Sequence, residues 1–92
     1  MLSKSQLYNL RNNISINFLI ESELDIAYKY RENQIQFICP ICSDFYTATN
    51  PKTNLARCFR CKVNFNPIDL VIAVNRCSFK QATNYLMKFI NN

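Results

Sequence analysis

Two Cys-x-x-Cys pairs constrain this sequence more than any other feature. Cys39 and Cys42 lie in FICPIC, and Cys58 and Cys61 lie in ARCFRC. Two intervening residues let both sulfurs of a pair approach one ion at about 2.3 Å. The 15 residues between the pairs suffice for a hairpin that brings the pairs face to face. Because four sulfurs in a tetrahedral array favour zinc over cations that prefer oxygen ligands, we predict one structural Zn²⁺ bound by all four cysteines.

Paired cysteines have two alternative interpretations, namely two disulfide bonds or redox-active pairs of the thioredoxin type. In a reducing compartment, closely spaced cysteines are more often metal ligands, and a count of five leaves Cys77 over after four ligands. Neither pair lies in the βαβ context of a thioredoxin-like motif. With four protein ligands, no coordination position remains for an activated water, so the ion is expected to be structural. Cys77, beside Arg76, is expected to be a small buried apolar residue.

Length and composition exclude several functions. Ninety-two residues make one domain, barely long enough for a hydrophobic core without an additional cross-link. The sequence has no apolar run of about 18 residues and no leader with a basic start and an apolar core, which predicts a cytoplasmic protein without membrane contact. It also has no histidine and no glycine, so the commonest general acid–base and the glycine-rich phosphate loops are absent. We therefore expect no catalysis by this chain alone and no small-molecule substrate.

The pattern of apolar residues predicts one α+β domain over residues 1–92. Residues 1–25 are expected to form a helical lead of two short helices. Residues 26–65 are expected to form a small zinc ribbon of antiparallel β-hairpins, and residues 66–92 two C-terminal helices. The fold class is therefore a zinc ribbon with flanking N-terminal and C-terminal helices.

Local signals for turns and helix starts support these boundaries. Alternation of apolar and polar residues over 26–38, interrupted by Glu32-Asn33, predicts the first hairpin. The turn signal Asn50-Pro51 predicts a second hairpin between the cysteine pairs, so that three or four strands result. Three pairs of residues mark helix starts: Ser3 with Gln6, Asn66 with Pro67, and Ser78 with Gln81.

From about Ser5 to Ile90, the order of these features resembles the N-terminal zinc-binding domain of bacterial and phage DnaG-type primases. The resemblance rests on ISINFLIESELDIAYKYRENQIQFICPIC, ARCFRCKVNFNPIDLVIAV and CSFKQATNYL. In that family a Cys-Pro-x-His knuckle, a hairpin and a Cys-Phe-x-Cys knuckle precede two helices with a Ser-Phe-x-x-Ala junction. The positions that match are Cys39, Pro40, Cys58, Phe59, Cys61, Ser78, Phe79 and Ala82.

The sequence departs from the family pattern in four respects. The usual histidine ligand is Cys42 here, which adds one negative charge. SDFYTAT replaces the family's Thr-Pro-Ser-Phe stretch, so template contacts attributed to that stretch do not transfer. KVNFN replaces the glycines that follow the last ligand, with Asn64 or Asn66 expected to take a positive φ. The family's catalytic TOPRIM-type domain has no counterpart in these 92 residues.

Basic and aromatic residues are interleaved along the predicted ribbon, as in single-strand binding proteins. The formal charge of +5 falls to about +3 when four thiolates (−4) hold one Zn²⁺ (+2). Alternation places Lys29 and Arg31 on one face of their strand and the neighbouring tyrosines on the other. An alternative is that the basic residues near the cysteines only neutralise the metal centre, and Phe37 and Phe59 are expected to pack in the core. The candidate nucleic-acid residues are Lys29, Arg31, Tyr46, Lys52, Arg57, Arg60 and Lys62.

The resemblance implies a module that binds a single-stranded DNA template and helps to start primers. Without a catalytic domain, such a module would serve a polymerase or primase catalytic subunit in trans, as an accessory replication protein of a phage or mobile genetic element. One alternative is a non-catalytic, zinc-dependent interaction adaptor in transcription or recombination. Another is an enzyme with cysteine chemistry, for which only Cys77 would supply a free thiol.

Overall fold

A computed structural model describes residues 2–90 of the chain. The helical elements are α1 (Lys4–Asn12), α2 (Ile16–Phe18) with a following π-helical turn (Leu19–Glu23), α3 (Pro67–Asn75) and α4 (Phe79–Met87). The strands are β1 (Tyr28–Arg31), β2 (Gln34–Phe37), β3 (Thr47–Asn50), β4 (Leu55–Cys58) and β5 (Val63–Phe65). Helices therefore flank a block of antiparallel strands, which confirms the predicted α+β fold.

Short polar residues determine where three of the helices begin. In each case the cap side chain accepts a hydrogen bond from the backbone three residues later, and that residue's side chain accepts one in return. These capping boxes are Ser3 with Gln6, Asn66 with Asp69, and Ser78 with Gln81. All three predicted helix starts are present, and Pro67 occupies the first turn of α3. The second N-terminal helix is shorter than a regular helix, because α2 passes into the π-helical turn after three residues.

The sheet has five strands, each paired antiparallel with the next along the chain. The prediction of three or four strands was wrong because it missed β5. Three residues contain too little alternation for a strand to be recognised from sequence. The strand is defined instead by its pairing with β4, in which Val63 lies opposite Cys58 and Phe65 opposite Ala56.

The two faces of the sheet differ in chemistry. One face packs on the helices and buries Ile35, Phe37, Ala56 and Phe65. Because directly opposite residues in an antiparallel pair share a face, the register defines the other set of side chains, which we call the outer face. The outer face consists of Lys29, Arg31, Gln34, Gln36, Ala48, Asn50, Leu55, Arg57 and Asn64. Lys29 and Arg31 thus lie on one face of β1 and the tyrosines of that strand on the other, as the alternation predicts.

Helix α3 is apolar because it lies in the middle of the helical layer. It packs against α1, α4 and β5, and it buries Ile68, Leu70 and Val71. A surface helix needs only one apolar stripe, whereas a central helix meets apolar neighbours on several sides. Despite this apolar character, no helix among residues 2–90 combines the length and hydropathy required to cross a bilayer.

Asn54 joins the turn between β3 and β4 to the N-terminal helices. Its Nδ2 donates to the backbone oxygens of Arg11 and Ile14 at 2.8 and 2.7 Å. Its Oδ1 accepts from the backbone N–H of Ile16 at 2.8 Å. One half-buried amide therefore satisfies three backbone groups where α1 gives way to α2. We call this group of contacts the Asn54 clamp.

Several residues adopt the left-handed backbone conformation although the sequence contains no glycine. The two central residues of the first hairpin turn have φ values of 53° and 65°, as a two-residue type I′ turn requires. Arg76 (φ 52°) ends α3, and the N–H that follows it donates to the carbonyl of Ile72 at 3.3 Å. The complete set is Glu32, Asn33, Ser43, Asn54, Lys62 and Arg76. Hydrogen bonds of the neighbouring strands, loops and helix ends hold these residues in place. They offset the steric cost that a Cβ carries in the left-handed conformation.

Candidate metal centre and adjoining sheet face

The four paired cysteines meet at the end of the sheet where β2 and β4 finish. Their sulfur atoms all lie within 4.8 Å of one another. The Sγ atoms of Cys39 and Cys61 are 3.9 Å apart, and those of Cys42 and Cys58 are 3.7 Å apart. Four sulfurs placed tetrahedrally at about 2.3 Å from one zinc ion would be about 3.8 Å apart. The observed spacing fits a tetrathiolate zinc site and is far from a disulfide bond of about 2.05 Å. All five cysteines are free thiols.

The site has a buried side and a half-exposed side. Cys39 and Cys58 are buried in the core, whereas Cys42 and Cys61 are half-buried. With all four positions supplied by the protein, the site suits a structural ion that joins the two loops. One structural zinc is therefore the cofactor that this donor set fits.

Each cysteine pair lies in a tight loop whose backbone turns toward the sulfurs. The N–H of Ile41 donates to the Sγ of Cys39 at 3.4 Å, and the N–H of Cys61 donates to the Sγ of Cys58 at 3.3 Å. The residue after each second cysteine has a positive φ, 66° at Ser43 and 59° at Lys62. The prediction that Asn64 or Asn66 takes this conformation was wrong, because the left-handed position must come directly after the last ligand to close the loop. Asn66 instead has an extended backbone as the cap of α3.

The pKa values of the clustered thiols are shifted in opposite directions, which favours binding of a cation. Burial raises the pKa of Cys58, but hydrogen bonds from backbone N–H groups, above all that of Cys61, outweigh it and lower the pKa to about 6. Hydrogen bonding with Cys42, together with burial, raises the pKa of Cys61 to about 12. Four neighbouring thiols therefore do not all ionise at neutral pH without a compensating positive charge. A bound dication removes this conflict, and binding releases the remaining protons.

A straight row of side chains crosses the outer face of the sheet next to this site. Lys29, Gln36, Ala48, Arg57 and Asn64 lie directly opposite one another on successive strands. Strands are separated by about 4.8 Å, so the row extends for about 19 Å. The Nη1 atom of Arg57 donates to the Oδ1 of Asn64 at 3.1 Å, which orients the guanidinium along the sheet. The row thus presents two cations and two amides on one surface.

The structure separates the predicted basic residues into two groups. Lys29, Arg31 and Arg57 share the outer face, and Lys52 lies in the turn between β3 and β4 at the edge of that face. Arg60 and Lys62 instead lie exposed in the loop of the second cysteine pair, where Arg60 forms an ion pair of 2.8 Å with Asp44 of the first cysteine loop. An open depression of about 800 Å³ lies over the outer face, and its lining includes Gln34, Asn50, Lys52, Arg57, Phe59 and Asn64.

Two exposed aromatic residues lie beside the middle of the row, on the side of the metal site. Tyr46 is 63% exposed and Phe59 is 62% exposed. The N–H of Phe59 donates to the carbonyl of Tyr46 at 3.0 Å, so these residues are cross-strand neighbours beyond the last pair of β3 and β4. The prediction that Phe59 packs in the core was wrong, whereas Phe37 is fully buried as expected. Alternation could have identified the difference, because Phe59 follows the buried Cys58 by one residue and so points away from the core.

Comparison with known proteins gives one informative result. No protein-family model matches the sequence, and no curated protein sequence is significantly similar to it. Among solved structures, the chain is similar to the crystal structure of the Aquifex aeolicus primase comprising its zinc-binding and RNA polymerase domains, with a TM-score of 0.75 over 96% of this chain and 23% sequence identity.

This chain has the fold of a primase zinc-binding domain. The match covers 21% of the Aquifex chain, so it concerns about a fifth of that protein. At 23% identity the likeness concerns the fold alone. The resemblance found in the cysteine motifs and the similarity in three dimensions therefore agree on a zinc-binding module related in architecture to primases.

Proposed function

We propose that this chain is an accessory DNA-replication protein that binds single-stranded template on the outer face of its sheet and supports primer synthesis by a catalytic subunit in trans. The observation that carries the proposal is the row of Lys29, Gln36, Ala48, Arg57 and Asn64 beside a tetrathiolate site, in the fold of a primase zinc-binding domain. In this role the chain supplies template binding and no catalytic group.

The charge of the outer face favours a polyanionic ligand. Its nine strand positions include three basic side chains, Lys29, Arg31 and Arg57, and no acidic one. The amides between the cations can donate to phosphate or to base edges. Ala48, in the middle of the row, is 9% exposed and lines the depression over this face.

The aromatic neighbours favour a single strand over a duplex. Unpaired bases offer exposed ring faces, and each base stacked on an aromatic side chain contributes about 1 to 3 kcal/mol. Tyr46 and Phe59 are exposed beside the cationic row, where they could stack on bases while Arg57 and Lys29 contact phosphates. A paired duplex keeps its bases stacked on one another, so such rings would gain little from it.

The solved Aquifex protein combines zinc-binding and RNA polymerase domains, as its description states. The residues of this chain match only a part of that protein. Because the two domains occur together in the Aquifex protein, we propose that this chain works with a polymerase or primase catalytic subunit in trans. Reconstituted primer synthesis by a candidate catalytic subunit, with and without this protein, would test the assignment directly.

The template-binding part is tested by titrating zinc-loaded protein with labelled single-stranded DNA over a range of salt concentrations. Replacing Lys29 and Arg57 together with glutamine should weaken binding and flatten its salt dependence. For two lost phosphate contacts on a single strand, the slope of log K against log salt should change by about 1.4. The matched control replaces Lys4 and Lys80, two exposed lysines of the helical layer, and should leave the slope unchanged.

In the same titration, Tyr46→Ala and Phe59→Ala should lower affinity without changing the salt slope, because stacking releases no counterions. Tyr8→Ala is the control, since Tyr8 is 58% exposed but lies on α1. If the wild-type protein binds no single strand at any salt concentration, the template role is wrong. Stimulation of a catalytic subunit in that case would favour the interaction adaptor instead.

A further inference from the structure

Two threonine hydroxyls are buried beneath the sheet. Thr47 and Thr49 are 0% and 1% exposed, and both point toward the helical layer from β3. Within residues 2–90, neither Oγ1 atom has a hydrogen-bond partner. A buried hydroxyl without a partner is costly, and valine has nearly the same shape without that cost. The two positions therefore call for an explanation of why β3 carries threonine.

The neighbours of the two hydroxyls differ. Thr47 lies directly opposite Cys58 in the pairing of β3 with β4, whereas Thr49 lies opposite Ala56. Directly opposite residues of an antiparallel pair have Cβ atoms about 4.5 to 5.5 Å apart, so their side chains touch. Thr47 therefore lies beside a metal-ligand sulfur, and both side chains are fully buried. Thr49 instead lies opposite the methyl group of Ala56.

We propose that Thr47 is a positioning residue of the metal centre, donating a hydrogen bond from its Oγ1–H to the Cys58 thiolate. A charged sulfur is a much better acceptor than a neutral thiol, so we expect this hydrogen bond to form when Cys58 becomes a metal ligand. Cys58 is fully buried, where water cannot supply a donor. The N–H of Cys61 already donates to this sulfur at 3.3 Å.

Such a hydrogen bond has two consequences for a metal site with four anionic ligands. It partly compensates the negative charge on the Cys58 sulfur, in a zinc tetrathiolate whose net charge is −2. It also fixes the direction from which Cys58 approaches the ion, because β3 holds the hydroxyl at one register position. Groups that orient metal ligands in this way typically change metal affinity about 10-fold to 100-fold when they are removed.

The test compares Thr47→Val with Thr49→Val, which removes an equally buried hydroxyl on the same strand and face. Zinc affinity is measured by competition with a chromophoric chelator. We expect Thr47→Val to weaken zinc binding by at least about tenfold, and Thr49→Val to leave it within about twofold of the wild type. Thr47→Ser, which restores the hydroxyl, should recover most of the affinity. Equal affinities for wild type, Thr47→Val and Thr49→Val would overturn the proposal.

A second readout separates this role from simple packing. In the cobalt(II)-substituted protein, loss of a hydrogen bond raises the energy of the thiolate electrons, so the sulfur-to-metal charge-transfer band should move to longer wavelength in Thr47→Val alone. An unchanged band would overturn the proposal even if affinity fell. If Thr47→Val does not fold, the wild-type protein loaded with ¹¹³Cd decides the question. Scalar coupling between the Thr47 hydroxyl proton and cadmium supports the hydrogen bond, and its absence overturns it.

Discussion

Cys58→Ser is expected to lose stoichiometric zinc and to unfold under conditions in which the wild type is folded. Cys58 is fully buried at the end of β4, and its sulfur is 3.7 Å from that of Cys42. Structural zinc contributes about 10 to 16 kcal/mol of apparent binding free energy at neutral pH, which appears as folding free energy. A domain of this size has a net stability of about 5 to 15 kcal/mol. Loss of tight metal binding therefore removes an amount comparable to the whole stability.

Elemental analysis and thermal unfolding of the purified variant check this result. Cys77→Ser is the matched control, because Cys77 is a half-buried free thiol outside the four-sulfur cluster. The control should keep one zinc per chain and a nearly unchanged Tm. A Cys58→Ser protein that retains one tightly bound zinc and the wild-type Tm would show that this site does not stabilise the fold.

Acidification should act in the same direction as the substitution. Zinc is bound by thiolates, and protons compete for the same sulfurs, so affinity falls as pH falls. Cys61 illustrates the competition, since its pKa is raised to about 12 in the metal-free site, mainly by hydrogen bonding with Cys42. Its proton must leave at every pH at which zinc binds in the physiological range. The contribution of the metal to stability is therefore present at neutral and alkaline pH and is lost toward acid pH.

Asn54→Asp is expected to lower the free energy of unfolding of the zinc-loaded protein by about 3 kcal/mol. The substitution keeps the shape of the side chain and the acceptor for the N–H of Ile16. It removes both donors to the carbonyls of Arg11 and Ile14 and places a carboxylate against those two oxygens. Each backbone group left without a partner in a partly buried position costs about 1 to 3 kcal/mol.

Urea denaturation in the presence of zinc measures this effect. Asn50→Asp provides the control in the same turn, because the Oδ1 of Asn50 only accepts a hydrogen bond, from the N–H of Lys52 at 3.0 Å, and aspartate preserves that role. Asn50→Asp should change stability by less than about 0.5 kcal/mol. If the two variants have equal midpoints, the Asn54 clamp does not join the hairpin to the helical lead.

The features that the sequence predicted correctly depend on residues close together along the chain. The spacing of Cys39 and Cys42 defines a metal loop within four residues, and the pair Ser3 and Gln6 defines a helix start within one turn. In both cases the residues that interact are neighbours, so pattern and geometry coincide. The link between the two cysteine pairs was predictable for a different reason, since one ion can satisfy all four sulfurs only if the pairs meet.

The features that were missed depend on contacts between distant residues. β5 exists because β4 lies beside it, and the three partners of Asn54 are 38 to 43 positions away in the sequence. No local pattern marks such an asparagine. The outward position of Phe59 was missed for a different reason, because aromatic residues are usually assigned to the core although alternation from Cys58 indicates the opposite face. Lys62 adopts a conformation that glycine favours, which residue preference alone does not predict.

The hairpin of β3 and β4 is held at both of its ends. The four-sulfur site, which includes Cys58, lies at one end. At the other end, the side chain of Asn54 joins the turn to the N-terminal helices. Arg57 lies between these two attachments, so its backbone has little freedom to move relative to the helices. When a flexible ligand binds to a rigid surface, the ligand loses conformational entropy but the protein loses little. Loosening either end should therefore reduce affinity for such a ligand even when every contacting side chain is unchanged.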